Sequence, residues 1–213
     1  MQHLDEMVDV IIVGAGLCGV TAARQLSENG NCTWTIIDKG RSVGGRMATR
    51  RVAGEHFDHG AQFFTARSEK FKALIAQLCS EGVVKEWVRG FQNSFGKSSD
   101  VGTFNDGFPR YVGTEGMNKV VKHLAGYLPD QNIHLNEKLL GIEIAGERLK
   151  LLCESGSTYL AKTALFTMPL PQVYPLVSGL STAADFSDVM RQIRSIEYDP
   201  CLLYTSDAAD DTP

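Results

Sequence analysis

An α/β fold with a parallel sheet is predicted by three adjacent features of this chain. Residues 8–13 form a β-branched apolar run broken only by Asp9 near its start, and residues 10–13 have the pattern of a strand buried on both faces. Gly14, Gly16 and Gly19 follow in G-x-G-x-x-G spacing. Residues 20–26 then have helical periodicity, with Gly30 as a stop, and residues 33–37 form a second strand that ends in Asp38. Strand, glycine turn, helix, strand and terminal acid make a β-α-β unit of the Rossmann-like, dinucleotide-binding kind.

Each part of that unit has a physical task. Gly14 permits the tight strand-to-helix turn, Gly16 lets a pyrophosphate approach the backbone, and Gly19 lets the helix lie close to the strand. Gly14, Gly16, Leu17, Cys18 and Gly19 are therefore candidate phosphate-loop residues. The helix N-terminus offers free N–H groups and roughly half a positive charge. Asp38 stands 19 residues after Gly19, where a carboxylate can accept both hydroxyls of a ribose. Asp38 and the adjacent Lys39 are candidates for the adenosine side. A carboxylate there disfavours a 2′-phosphate, so NADP is a poor ligand for this site.

Bulk properties exclude several classes. The chain has 213 residues, enough for one domain or one and a half, with 43% hydrophobic and 22% charged residues. A formal net charge of -4 is not the footprint of a nucleic-acid binder. The five cysteines, Cys18, Cys32, Cys79, Cys153 and Cys201, are scattered and form no C-x-x-C. Reduced thiols are expected, not a disulfide framework or a zinc site, and no metal is expected. The first residues lack a basic n-region and a cleavage site, and residues 10–13 are too short to cross a membrane. A cytoplasmic protein is expected, with no membrane or nucleic-acid partner.

Residues 43–67, VGGRMATRRVAGEHFDHGAQFFTAR, decide between two cofactors. A simple NAD dehydrogenase passes from the second acid into another β-α unit. Here Asp38 is followed after five residues by Gly44-Gly45-Arg46. FAD binds extended, and its pyrophosphate needs a second backbone approach and a fixed cation. The glycine pair and the planar arginine fork meet those needs. In Asp58-His59-Gly60-Ala61-Gln62-Phe63-Phe64-Thr65, small residues would let backbone approach a flat ring. Gln62 and the aromatics would line its edge. Core for Phe63-Phe64 and a structural hydrogen bond for His59 are the competing readings.

The strings SVGGRMATR, DHGAQFFTAR and LFTMPLPQ resemble the renalase-like proteins of bacteria, within the FAD-dependent amine oxidase superfamily. The resemblance runs from Asp9 to about Leu176. It implies that residues 14–19 and Asp38 hold adenosine and pyrophosphate, with Arg46 on the phosphate side. It places Ala61, Gln62 and Phe63 near the flavin, and the backbone near Leu139 at the adenine. It implies oxygen as the final acceptor and a small-molecule donor, either a dihydronicotinamide isomer or an amine. No catalytic side chain is implied. Cys18 departs from the small hydroxyl residue expected in its slot; the backbone N–H does the work there.

Further along, residues 68–82 are expected as a helix, with Phe71, Leu74, Ile75 and Leu78 on one face. Residues 83–91 and 101–104 are expected as strands, 92–100 as a polar loop, and Asp106-Gly107 as a turn. Trp87 and Tyr111 are expected to pack, with a place facing the substrate as the alternative. Gly116-Met117-Asn118 opens another helix. Residues 133–135, 139–144 and 149–153 are short strands. Residues 164–167 rejoin the parallel sheet, so Thr167 lies at its carboxyl edge, where ligands sit.

The expected organisation is a discontinuous FAD-binding domain, residues 1–67 and 113–170, with part of a mixed α+β substrate domain, residues 68–112 and 171–200. Residues 201–211, CLLYTSDAADD, read as a translated sequencing adapter, so 201–213 is expected to be a non-native tail on a truncated frame. The expected function is flavin-dependent oxidation. An NAD-dependent dehydrogenase and an inactive fragment are the alternatives.

Overall fold

The computed structural model describes residues 7–92, 103–180 and 184–198. The expected tail and most of the expected polar loop lie outside these residues. The chain divides into two compact units, Met1–Ser42 with Asp130–Pro213, and Val43–Pro129.

In the first unit, β1 (Met7–Val13), α1 (Leu17–Asn29) and β2 (Trp34–Asp38) form the predicted β-α-β unit. α1 is flanked by Gly16 at its N-cap and by left-handed Gly30 at its C-cap, whose N–H donates to Leu26 O at 3.1 Å. The helix is longer than its apolar pattern because its first turn faces solvent at Leu17 and Cys18. Ile11, Ile12, Ile36 and Ile37 are all fully buried, as unbroken apolar strands require when both faces are covered. Burying each contributes about 1.5–3 kcal/mol. Trp34 Nε1 donates to Ser27 Oγ at 3.1 Å and fastens the helix to β2.

The second unit starts with β3 (Thr49–Val52) and β4 (Glu55–Asp58), an antiparallel hairpin in a stretch where the local pattern announced no element. Its two-residue turn, Ala53-Gly54, has positive φ at both positions (51° and 88°). That is the geometry of a type I′ turn. Helix α2 (Glu69–Ser80) is capped by Ser68 Oγ, which accepts from Phe71 N–H at 3.3 Å. Strands β5 (Val84–Gln92) and β6 (Thr103–Gly113) pair antiparallel. The Asp106-Gly107 turn is a correction: both residues lie within β6. Arg89 pairs with Pro109 and Phe91 with Phe104, so the extra β6 residues bulge opposite Gly90. Trp87 is 56% exposed, although its ring packs against that of Phe63. α3 (Asn118–Ala125) buries Val120, Val121 and Leu124.

The chain then returns to the first unit through β7 (Ile133–Leu135), β8 (Leu139–Ala145), β9 (Arg148–Cys153) and β10 (Thr158–Phe166). The sheet order is β7-β2-β1-β10-β9-β8. The first four strands are parallel and the last three form an antiparallel meander. β10 starts six residues before the expected strand, because its first half pairs with β9 and its second only with β1 among the described strands. Helices α4 (Leu170–Val177) and α5 (Ala184–Ser195) follow, and Val173, Val177 and Met190 form a small core against Ile142, Phe166 and Met168.

Candidate functional site

The candidate residues gather in two groups, one in each unit. In the first unit, β1 ends at the glycine turn. Gly14 has φ 115°, and a Cβ on it would lie 2.5 Å from Thr167 Oγ1. Thr167 follows β10, and its hydroxyl is directed at Val13 O (3.0 Å) and Gly14 O (3.1 Å). It therefore holds the turn from below. A Cβ on Gly19 would lie 1.9 Å from Gly14 O, which is why the helix sits so close to the turn. No side chain caps the N-terminus of α1, and its first turn has no acid. Its N–H groups, with Leu17 and Cys18 exposed beside them, can receive an anion.

Asp38 stands at the end of β2. Its Oδ2 accepts from Ala15 N–H and its Oδ1 from Gly40 N–H, both at 2.6 Å. The next strand's approach is fixed by backbone bonds, Glu137 N–H to Asp38 O (2.8 Å) and Asn136 N–H to Gly40 O (2.9 Å). A cleft of about 230 Å³ opens there, lined by Val13, Gly14, Asp38, Lys39, Leu139 and Gln172, among others. Lys39 Nζ reaches Gln172 Oε1 at 3.5 Å. Behind the cleft, burial pushes the Cys153 thiol up to about 12, with Glu137 adding to the shift. The Tyr159 phenol is raised by the same two causes. Neither group ionises near neutrality.

In the second unit, Gly44 and Gly45 take φ 144° and 55° and lead into a single 3-10 turn, Gly45–Met47. Met47 N–H donates to Gly44 O and Ala48 N–H to Gly45 O, both at 3.0 Å. Arg46 is exposed, and its carbonyl accepts from Ala61 N–H at 2.8 Å. A Cβ on Gly60 would lie 2.0 Å from Arg46 O, so this approach needs glycine. The sequence motifs around positions 45 and 60 are thus two sides of one contact. Gln62 Nε2 donates to Asp58 O. Phe63 is half-buried with its ring 6.2 Å from that of Trp87, and Phe64 exchanges backbone hydrogen bonds with Tyr111. His59 is exposed and makes no hydrogen bond among the described residues, contrary to its structural reading.

Two supporting groups escape the motif reading. Asp58 Oδ1 accepts from Thr49 Oγ1 at 2.5 Å and from Met117 N–H at 2.8 Å. Thr49 Oγ1 accepts in turn from Asn118 N–H at 3.1 Å. This network seats the start of α3 against the hairpin. The signal for it was present, an acid two residues before Gly60, but nothing local marks its partners. Asn118, 4% exposed, lies under Gly44, whose added Cβ would meet Asn118 Cβ at 3.4 Å. Among the described residues, no three His, Cys, Asp or Glu are grouped to hold a metal, and no helix is long and apolar enough to cross a membrane.

The chain matches the family described as NAD(P)-binding Rossmann-like domain over residues 12–78. It matches the family described as flavin containing amine oxidoreductase over residues 80–202. A putative flavin-containing monoamine oxidase AofH of Mycobacterium tuberculosis (strain ATCC 25618 / H37Rv) is 42% identical over 72 residues, 33% of this chain and 15% of that protein. Coproporphyrinogen III oxidase of Mycobacterium leprae (strain TN) is 36% identical over 69 residues, 32% and 15% of the two chains. Among solved structures, a putrescine oxidase redesigned in its cofactor binding superposes with a TM-score of 0.63 at 16% identity. That match covers 87% of this chain and 63% of the other. A putative protoporphyrinogen oxidase from Exiguobacterium sp. 255-15 gives 0.60 at 15%, covering 80% and 61%. The segments matched thus span 15% of these curated relatives and under two thirds of these structures.

Proposed function

The chain belongs to the flavin containing amine oxidoreductase family, whose cofactor is FAD, and from that premise we propose how its residues serve the cofactor and what they oxidise. Gly14, Gly16, Leu17, Cys18 and Gly19 receive the pyrophosphate through backbone N–H groups, while Asp38, Lys39 and the backbone at Leu139 form the adenosine end. Thr167 braces the loop. Gly44, Gly45 and Arg46 supply the second phosphate approach. Gly60, Ala61, Gln62 and Phe63 lie toward the flavin. Residues 1–67 and 113–170 form the FAD-binding domain on this reading.

The residues fit such a ligand. The first unit has an uncapped helix N-terminus beside a carboxylate and an open cleft. The second has a glycine turn whose backbone is held by Gly60 and Ala61. When bound, FAD supplies a two-electron acceptor for a hydride equivalent and hands those electrons to oxygen, giving hydrogen peroxide. The protein's part is to bind, orient and shield. The donor class is a dihydronicotinamide-type molecule or an amine, and the three renalase-like strings favour the former. The protein works in the cytoplasm.

The observation that carries this reading is the Gly60–Arg46 contact, because a simple NAD-binding unit has no need of that second turn. The test is purification followed by absorbance spectroscopy and peroxide assay with both donor classes. A yellow protein releasing peroxide with dihydronicotinamides supports it. A colourless protein that binds NAD would overturn it.

A further inference from the structure

We infer that Asp38 is a positioning residue for the phosphate loop, holding its backbone in the receiving conformation before any ligand arrives. This rests on the cofactor reading above and adds a role that ribose binding alone does not require.

Both carboxylate oxygens already have protein partners. Oδ2 takes the N–H of Ala15, which lies between Gly14 and Gly16 and is fully buried. Oδ1 takes the N–H of Gly40, two residues on. The carboxylate thus clasps the turn after β1 to the turn after β2. Buried Ala15 has no water to replace the acceptor, so losing it leaves a donor unsatisfied. Thr167 holds the carbonyl side of the same turn at Val13 and Gly14. Asp38 holds the N–H side, and together they fix the peptide planes around Gly14.

The clasp does not compete with a ribose. Each carboxylate oxygen has two lone pairs, so each can take an N–H and a ribose hydroxyl together. The consequence is coupling: the group that reads the sugar also sets the loop that meets the phosphates. Asn is the informative replacement. It keeps one carbonyl acceptor, but its amide nitrogen would point a donor at a donor.

The test is backbone amide exchange in the chain without ligand, combined with binding of ADP and of 2′,3′-dideoxy-ADP. In the unsubstituted chain, the Ala15 amide should exchange at least about tenfold slower than an open chain. In Asp38→Asn, Ala15 or Gly40 should exchange at least about tenfold faster, with Ile36 in the sheet unchanged. Asp38→Ala should release both. Asp38→Asn should weaken dideoxy-ADP by at least about threefold, since the loop acts on the phosphates it carries, and ADP by that factor or more, since ADP also loses its ribose contacts. Unprotected Ala15 in the unsubstituted chain would overturn the inference. So would unchanged exchange in Asp38→Asn, or a penalty that disappears with dideoxy-ADP. If the unsubstituted chain binds neither nucleotide, the cofactor reading fails, and exchange alone decides the clasp.

Discussion

Thr167 and Gly14 are fitted to one another across 153 positions of chain: the threonine hydroxyl lies 3.1 Å from the Gly14 carbonyl, in the space a Cβ on Gly14 would need. An alanine at position 14 would meet this hydroxyl at 2.5 Å while also holding φ near 115°. Gly14→Ala should therefore cost about 2–4 kcal/mol, from left-handed strain and overpacking together. Removing the hydroxyl relieves only the second part. The Gly14→Ala penalty should then be smaller in a Thr167→Ala background, by about 1 kcal/mol. Urea titrations of the four proteins measure this, and strict additivity would refute the fit.

Gly60→Ala should disturb the second glycine turn. The added carbon would sit 2.0 Å from Arg46 O, which also accepts from Ala61 N–H. The turn must shift and lose that bond, at about 1–3 kcal/mol. Bound flavin per chain should fall more than secondary structure does. Flavin content equal to the unsubstituted protein would remove residues 44–46 and 60 from the cofactor site.

Asp58→Ala should destabilise the second unit by about 1–3 kcal/mol. Met117 is fully buried, and its N–H would lose its acceptor. Asp58→Asn, which keeps a carbonyl oxygen, should cost less. Thermal melts of both variants decide the order, and an equal cost would show that the charge matters and the acceptor does not.

Acid stability should depend on Asp9. Hydrogen bonding to Lys162, then Thr33, lowers its carboxyl from the usual 3.8 to about 2. The folded value lies below the unfolded one, so its contribution is complete above about pH 4. It is lost as the pH falls from about 4 toward 2. Asp9→Asn should flatten that part of the stability curve. Salt should flatten it too, because the pair is at the surface. A curve unchanged by the substitution would contradict the assignment.

Thiol labelling should separate two cysteines. Cys18 is exposed; Cys153 is 6% exposed, its pKa pushed up to about 12. At pH 8, a thiol reagent should label Cys18 and spare Cys153 until the protein unfolds. Mass spectrometry of the labelled peptides checks this. Equal rates would place Cys153 outside the core.

Local pattern revealed the elements whose cause is local. β1 and β2 could be read because short runs rich in β-branched residues, such as residues 10–13 and 35–37, leave few alternatives, and Ser68 marked the start of α2. The glycine triad showed its turn because each glycine answers a steric need. The hairpin of residues 49–58 was hidden because its turn uses Ala53 at positive φ, where Asn or Gly is the usual signal. Asp106-Gly107 misled for the converse reason: a turn dipeptide served a bulge. Asp38 was legible as an acid at the right distance from Gly19. Its partners, Ala15 and Gly40 N–H, were not, since no sequence pattern announces a backbone donor. The Asp58–Thr49–Met117 network stayed hidden for the same reason.

The parallel pairing of β1 with β10 has a consequence during synthesis. β1 emerges first, and β2 can join it about twenty residues later. Its other edge waits for a strand whose following residue, Thr167, is 154 positions from Val13. At about 5–20 residues per second, that wait is on the order of ten to thirty seconds on the ribosome. Throughout it, β1, with Ile11 and Ile12 that are fully buried in the finished fold, has one open edge, and the glycine turn lacks the hydroxyl that braces it. The nascent chain is therefore most exposed to mispairing just before β10 emerges. A stall or slow codons ahead of residue 158 should raise aggregation more than the same pause placed after residue 167.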